Sequence, residues 1–174
     1  MVEEKSFGSV KITESPLDIE LIELDLIEDL EKIHETHCED DEPDSPQISF
    51  ATISEEEKQK QLAGYRQVVK LILVNKIKVG WITATSRGMI VNIGFGLFKD
   101  HRRKGIMSQI LSTVMPEIQG KYPNHDLSSA TRTGNFSSIK SLKKGGFIQD
   151  DIITMPPLGK YKESVEYLSF KYPK

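Results

Sequence analysis

Apolar and polar residues along this chain change period several times, and each change marks an element. Leu17 to Leu24 alternates through Leu17, Ile19 and Leu21, the period of a strand with one buried face. Phe7 to Thr13 alternates more weakly and predicts an extra edge strand, with Glu14-Ser15-Pro16 as a turn before the next. From Leu26 the period lengthens: Leu26, Ile27, Leu30 and Ile33 form a helical face to about Thr36, opened by Asp25 as an acidic cap with Glu28 three residues on. Ser54 and Glu57 form a second capping box, and Gly64 is expected to close that helix.

Val68 to Val74 reads as a buried strand, and Lys78 to Thr85 as another, alternating around Trp81. Asn75-Lys76 and Arg87-Gly88 supply the turns of an antiparallel meander that leads into a strand from Ile90 to Phe98. A helix from about Lys104 to Gln119 follows, with apolar positions Ile106, Ile110, Leu111, Val114 and Ile118, and Pro116 is expected to kink or shorten its last turn. Leu127 to Thr131 is a short strand, Ser137 to Lys144 a helix, and Phe147 to Met155 with Val165 to Phe170 a closing pair of strands.

The junction after Ile90–Phe98 carries the chemistry. Gly94 and Gly96 interrupt an otherwise apolar strand, a pattern that marks a bulge or a close backbone approach by another group. His101-Arg102-Arg103-Lys104-Gly105 then places cations beside the start of a helix, predicted near Arg103 or Lys104, whose first-turn amides lack partners inside the helix. Such a turn binds anions. It is no nucleotide P-loop, because the glycine spacing before Gly-Lys-Ser/Thr is missing, and no dinucleotide fingerprint, which needs three spaced glycines.

LFKDHRRKGIM followed by an apolar helix resembles the acetyl-CoA signature of the GNAT superfamily of N-acetyltransferases, Arg/Gln-x-x-Gly-x-Gly/Ala, with Arg102, Gly105 and Met107 at its positions. Met107 stands where a small residue is usual. NFSSIKSLKKGGF resembles the family's later motif through Asn135, Ser138, Ile139, Lys144, Gly146 and Phe147. The resemblance implies one α/β domain over residues 1–174, a mostly antiparallel twisted sheet with helices on both faces, residues 1–16 adding an N-terminal extension strand. It implies acetyl-CoA as acetyl donor: Phe95, Gly96 and Leu97 along the pantetheine, Arg102, Arg103, Lys104, Gly105, Ile106, Met107 and Ser108 around the pyrophosphate, and Asn135 on the pantetheine side. The activity implied is direct acetyl transfer to a primary amine of a small molecule or protein. A different class of protein shares these motifs: a non-catalytic acyl-CoA-binding or protein-interaction module.

Catalytic groups are harder to place. Family members often carry a tyrosine seven residues after the motif Asn, where this chain has Leu142, and a glutamate on the ligand strand, where this chain offers Asn92. Asn92, Tyr161 and Glu35 are the candidates that remain, with Tyr167 and His34 as further substitutes. His34, Glu35, His37, Cys38 and Glu39 crowd together, yet no second cluster completes a metal site, so a solvated helix end and no metal are expected.

Charge modifies this picture. The net charge of the 174-residue chain is −3, but Met1 to Glu57 carries 19 Asp and Glu against 3 Lys and Arg, a net of −16, and Lys58 to Lys174 carries 7 against 20, a net of +13. An acidic acceptor side would favour a cationic amine such as a polyamine, an aminoglycoside-like molecule or a lysine-bearing peptide. Glu39 to Pro46 is too charged and too rich in proline to pack, and reads as an exposed loop. The basic residues are spread rather than interleaved with aromatics, which argues against nucleic acid. The lone Cys38 excludes an intramolecular disulfide, and no apolar run is of signal-peptide or membrane-spanning character. A cytoplasmic protein is expected, and a homodimer stays open.

Overall fold

The computed structural model describes residues 10–12, 17–40, 53–156 and 164–174. Its strands are β1 (Val10–Ile12), β2 (Ile19–Glu23), β3 (Val69–Val74), β4 (Ile77–Arg87), β5 (Ile90–Leu97), β6 (Asp126–Arg132), β7 (Ile148–Met155) and β8 (Val165–Tyr172). Its helices are α1 (Ile27–Asp40), α2 (Glu55–Val68), α3 (Ile106–Lys121) and α4 (Phe136–Lys144), with a short 3-10 turn at Lys99–His101. Hydrogen bonding orders the strands β1-β2-β3-β4-β5-β6-β8-β7. Antiparallel registers join β1–β2, β2–β3, β3–β4, β6–β8 and β7–β8, and β5–β6 is parallel. The mostly antiparallel α/β class expected from the sequence is therefore observed. Much of the weak strand Phe7 to Thr13 and most of the acidic loop Glu39 to Pro46 lie outside the described residues.

The described chain forms two compact units, one of residues up to Thr83 together with Phe95–Arg102, the other of Ala84–Gly94 and Arg103–Lys174. In the first, Asn75 and Lys76 both adopt positive φ (51° and 64°), the geometry of a two-residue hairpin turn, and join β3 to β4. Leu24, Leu30 and Ile33 pack with Leu62, Val69, Leu71 and Trp81 into a buried cluster. The Glu57 N–H donates to Ser54 Oγ (3.2 Å), so the predicted cap of α2 is present.

Gly64 does not end α2. The helix runs on to Val68, and the Val69 N–H donates to the Tyr65 carbonyl, so helix passes into strand without a loop. Tyr65 and Val68 pack against the buried cluster. That burial outweighs the penalty of about 1 kcal/mol for a helical glycine on an exposed face. Helix α1 likewise extends beyond Thr36 to Asp40, and begins at Ile27. Asp25, expected as its cap, lies 3.6 Å from Arg66 Nε instead.

Asp25 is one of several carboxylates of the acidic segment that meet a cation of the basic one. Glu23 pairs with Lys70 (3.3 Å), Glu31 with Lys58 (3.5 Å) and Asp29 with Lys78. Lys78 Nζ donates to both Asp29 oxygens, at 2.9 and 2.7 Å, and the Asp29 side chain is only 3% exposed. The charge division along the sequence is thus in part neutralised within this unit.

In the second unit, α3 buries Met107, Ile110, Leu111, Val114, Met115 and Ile118. Pro116 does not shorten it: the helix continues to Lys121, and the Tyr122 N–H donates to the Ile118 and Gln119 carbonyls. Burial of Met115 and Ile118 on either side of Pro116 holds the helix through the lost hydrogen bond. Helix α4 buries Leu142, and β8 buries Phe170.

Asp29 and Lys78 should respond unequally to substitution. Lys78→Met strands a buried carboxylate and is expected to cost about 3 kcal/mol. Asp29→Asn leaves an amide that still accepts a hydrogen bond, with a half-exposed ammonium that reaches water, and should cost about 1 kcal/mol. Urea unfolding followed by circular dichroism checks the order; equal losses would show that the pair is not the source.

Candidate functional site

The sequence placed the anion-binding turn at the entry to α3, and the backbone there is unusual. Arg103 has φ +62° and Gly105 φ +71°, two left-handed residues within three positions. A left-handed residue cannot continue a right-handed helix, so α3 starts at Ile106, later than the predicted Arg103 or Lys104. The cations therefore precede the helix rather than occupy its first turn. Gly105 is the N-cap, and among the described residues no side chain caps the first-turn amides of Ile106, Met107 and Ser108.

Space in front of this turn is open. A Cβ built on Gly105 would meet no atom within 4 Å, and Arg103, Lys104 and Gly105 are all exposed. Met107 differs: its side chain is 5% exposed and belongs to the core, leaving only its backbone N–H to face an anion. Helix polarity and the free amides together favour negative charge at this end of the 16-residue α3.

Within the same unit, the parallel ladder of β5 and β6 ends at Asn92–Ser128, although β6 continues to Arg132 in partnership with β8. The next β5 carbonyl, Ile93, accepts from the buried Ser129 hydroxyl at 2.8 Å. Ser129 was not singled out from the sequence, where one serine in a strand carries no signal.

The later part of β5 belongs to the first unit. Phe95, Gly96 and Leu97 are half-buried there, neither core nor open surface. A Cβ on Gly96 would fall 2.8 Å from the Trp81 Cε2 and Nε1 atoms, and one on Gly80 would collide with the Gly96 carbonyl oxygen. The close approach that Gly96 permits is therefore made by Trp81. Arg102 Nε donates to the Leu97 carbonyl at 2.9 Å, tying the segment after the 3-10 turn back to β5.

The second motif is largely architectural. Asn135 Oδ1 accepts from the Ser138 N–H at 3.1 Å, so Asn135 caps α4. A Cβ on Gly145 would lie 2.6 Å from Leu111 Cβ, which shows how closely α4 is pressed on α3. Gly146 needs its φ of +94°, and Phe147 is buried edge-on against Tyr172 (centroids 5.3 Å apart). Burial raises the Tyr122 and Tyr172 phenols above their ordinary value, so both stay neutral at physiological pH. Leu142, at the position of the family's tyrosine, is fully buried.

Of the catalytic candidates, Asn92 is exposed and its Oδ1 accepts from Ser128 Oγ at 2.9 Å. An amide so placed orients groups and takes up no proton. Glu35 is exposed on α1, His34 lies edge-on to Tyr65 with centroids 5.9 Å apart, and Tyr167 is half-buried in β8. Tyr161 and the side chains of His37, Cys38 and Glu39 lie outside the described residues. Among the described residues, no group of three or more His, Cys, Asp or Glu could hold a metal ion, and no helix is long and apolar enough to cross a membrane.

No protein-family model and no curated protein matches the chain. Solved structures do. A microcin C7 self-immunity acetyltransferase, MccE, in complex with acetyl-CoA and AMP, matches with TM-score 0.70 and 13% identity over all of both chains. RimL, a ribosomal L7/L12 alpha-N-protein acetyltransferase in complex with coenzyme A, matches with TM-score 0.67 and 19% identity over 94% of this chain and 98% of its own. A GNAT-family acetyltransferase from Bacillus anthracis matches with TM-score 0.67 and 15% identity over 93% of this chain and 97% of its own. At these identities the likeness is one of fold, and the fold is that of the GNAT acetyltransferases.

Two glycine substitutions separate the roles of this region. Gly96→Ala drives a methyl into Trp81 and should cost about 1–3 kcal/mol. Gly105→Ala meets no atom and should cost only the left-handed strain, about 1 kcal/mol. Thermal unfolding of the two variants checks the ranking, and a larger loss at Gly105 would refute this account of Gly96.

Proposed function

We propose that this protein transfers an acetyl group from acetyl-CoA to a primary amine, by direct attack of the amine on the thioester. The observation that carries the reading is the start of α3, where uncapped first-turn amides and the exposed Arg103 face open space across Gly105. A pyrophosphate satisfies those amides and suits the positive end of the helix. Solved neighbours of the same fold hold coenzyme A and acetyl-CoA, which supports the assignment.

In this reading Arg102, Arg103, Lys104, Gly105, Ile106, Met107 and Ser108 serve the pyrophosphate, Met107 through its backbone alone. Phe95, Gly96 and Leu97 serve the pantetheine arm, with a backbone N–H polarising the thioester carbonyl as charge develops on its oxygen. Asn135 serves chiefly by setting the start of α4. The neutral amine attacks the carbonyl carbon, the C–S bond breaks, the thiolate leaves, and the amine's surplus proton passes to water. Holding amine and thioester together supplies much of the acceleration. Acceptors that are cationic at neutral pH fit the remaining exposed carboxylates of α1, Glu28 and Glu35.

Leu142 favours a second reading. With an apolar side chain sealed in the core where an acid would stand, and an amide at Asn92, the chain also suits an acyl-CoA-binding or protein-interaction module without catalysis.

Calorimetric titration of acetyl-CoA into the wild type and a Gly105→Glu variant tests the donor site, and thiol release with a panel of amines tests the reaction. The expected result is binding by the wild type, at least tenfold weaker binding by the folded variant, in which a carboxylate opposes the pyrophosphate, and release that rises with pH as the acceptor amine deprotonates. Binding without release supports the acyl-CoA-binding module instead, and absence of binding by the wild type overturns the acetyl-transfer reading and leaves the protein-interaction module.

A further inference from the structure

Within the first unit, a ring stands where β5 has no side chain. Strands β4 and β5 are joined by Gly88 and Met89 alone, so they run antiparallel. The Phe98 N–H donates to the Val79 carbonyl at 2.9 Å, and that register sets Gly96 opposite Trp81. A Cβ built on Gly96 would lie 2.8 Å from Trp81 Cε2 and Nε1 and 2.9 Å from Cζ2. The indole thus fills the place of a side chain at position 96.

The wall it forms is firm. Trp81 is buried in the cluster with Leu24, Leu30, Ile33, Leu62, Val69 and Leu71, and Phe98 packs against the same cluster. At the neighbouring Gly80, a Cβ would collide with the Gly96 carbonyl oxygen and lie 3.0 Å from Leu97 Cα. The two backbones therefore approach too closely for a side chain to stand between them. Behind the ring the core is filled, so the indole cannot retreat without displacing its neighbours.

A thioester carbonyl held by the β5 backbone at Phe95, Gly96 and Leu97 carries its acyl chain from that point. Alternation turns the Phe95 and Leu97 side chains to one face of the strand, and on the other Gly96 leaves the backbone bare. On that bare face the chain meets the indole. An acetyl group ends at the methyl next to the carbonyl carbon, whereas a butyryl group runs two methylenes further, into the space that the ring holds.

We propose that Trp81 determines the length of the acyl group this protein accepts, admitting acetyl and excluding longer chains by occupying the space beside Gly96. This rests on the reading of acetyl-CoA as the donor, and goes beyond it by naming a residue that selects among acyl thioesters of the same coenzyme. A smaller side chain at position 81 leaves an apolar hollow lined by the surrounding cluster, and such a hollow suits a hydrocarbon chain.

The test is calorimetric titration of acetyl-CoA and butyryl-CoA into the wild type, Trp81→Leu and Trp81→Phe, with circular dichroism as a check of folding. The wild type should bind butyryl-CoA at least about tenfold more weakly than acetyl-CoA. In Trp81→Leu the ratio should fall to about one or invert, and in Trp81→Phe, where only part of the ring is removed, it should fall to about threefold. A purely structural role for Trp81 weakens both thioesters together and leaves their ratio unchanged. Equal binding of the two by the wild type, or a ratio that survives in the folded variants, overturns the assignment while leaving the donor site intact; if Trp81→Leu does not fold, Trp81→Phe decides. Failure of the wild type to bind either thioester overturns the donor reading itself, and this inference with it.

Discussion

Helix α3 is fixed by one face. Met107, Ile110, Leu111, Val114, Met115 and Ile118 are buried along it, so its axis and its first turn are set by the core rather than by the segment before it. Chain arriving from the 3-10 turn must join that axis within a few residues, and does so by taking left-handed conformations at Arg103 and Gly105. Arg103 pays about 1 kcal/mol for a conformation that a glycine would adopt freely. The same manoeuvre leaves the first-turn amides of α3 without a side-chain cap among the described residues. The form of this turn is thus a by-product of how a buried helix is entered.

Sequence reasoning read the elements well where local chemistry and tertiary packing agree. Asn75-Lys76 adopts the backbone its hairpin requires, Ser54 caps α2, and the two GNAT-like motifs lie on the elements expected of them. It misread positions where packing overrides a local preference. Gly64 and Pro116 are breakers by propensity, but Tyr65 with Val68, and Met115 with Ile118, are buried strongly enough to carry each helix through. Asp25 has the spacing of a cap and is drawn to Arg66, forty-odd positions away in the chain, which no local pattern reveals.

The turn before α3 was legible as a glycine-bearing helix entry, and its chemistry is a proposal. Gly105 stands in open space, but Gly96, which from sequence also suggested room for a ligand, yields its space to Trp81. A glycine states that something comes close and does not say what. Asn135 and Gly146 serve a cap and a positive φ, so part of the second motif reports the construction of α4. The division of charge likewise suggested an acidic channel, whereas Glu23, Asp25, Asp29 and Glu31 each meet a cation from the other half of the sequence. Complementary charge on distant segments is a device for choosing partners within a chain as much as between molecules.

The loopless passage from α2 into β3 has an evolutionary consequence. Val68 ends the helix, and Val69 both bonds back to Tyr65 and stands opposite Thr83 in the sheet. A single residue inserted here has nowhere to bulge out. It must either turn α2 by about 100°, swinging Leu62 and Tyr65 off the core, or slip β3 by one position and exchange its two faces. Length variation in descendants of this sequence is therefore expected to avoid the α2–β3 joint, which behaves as a fixed seam in an otherwise adjustable chain.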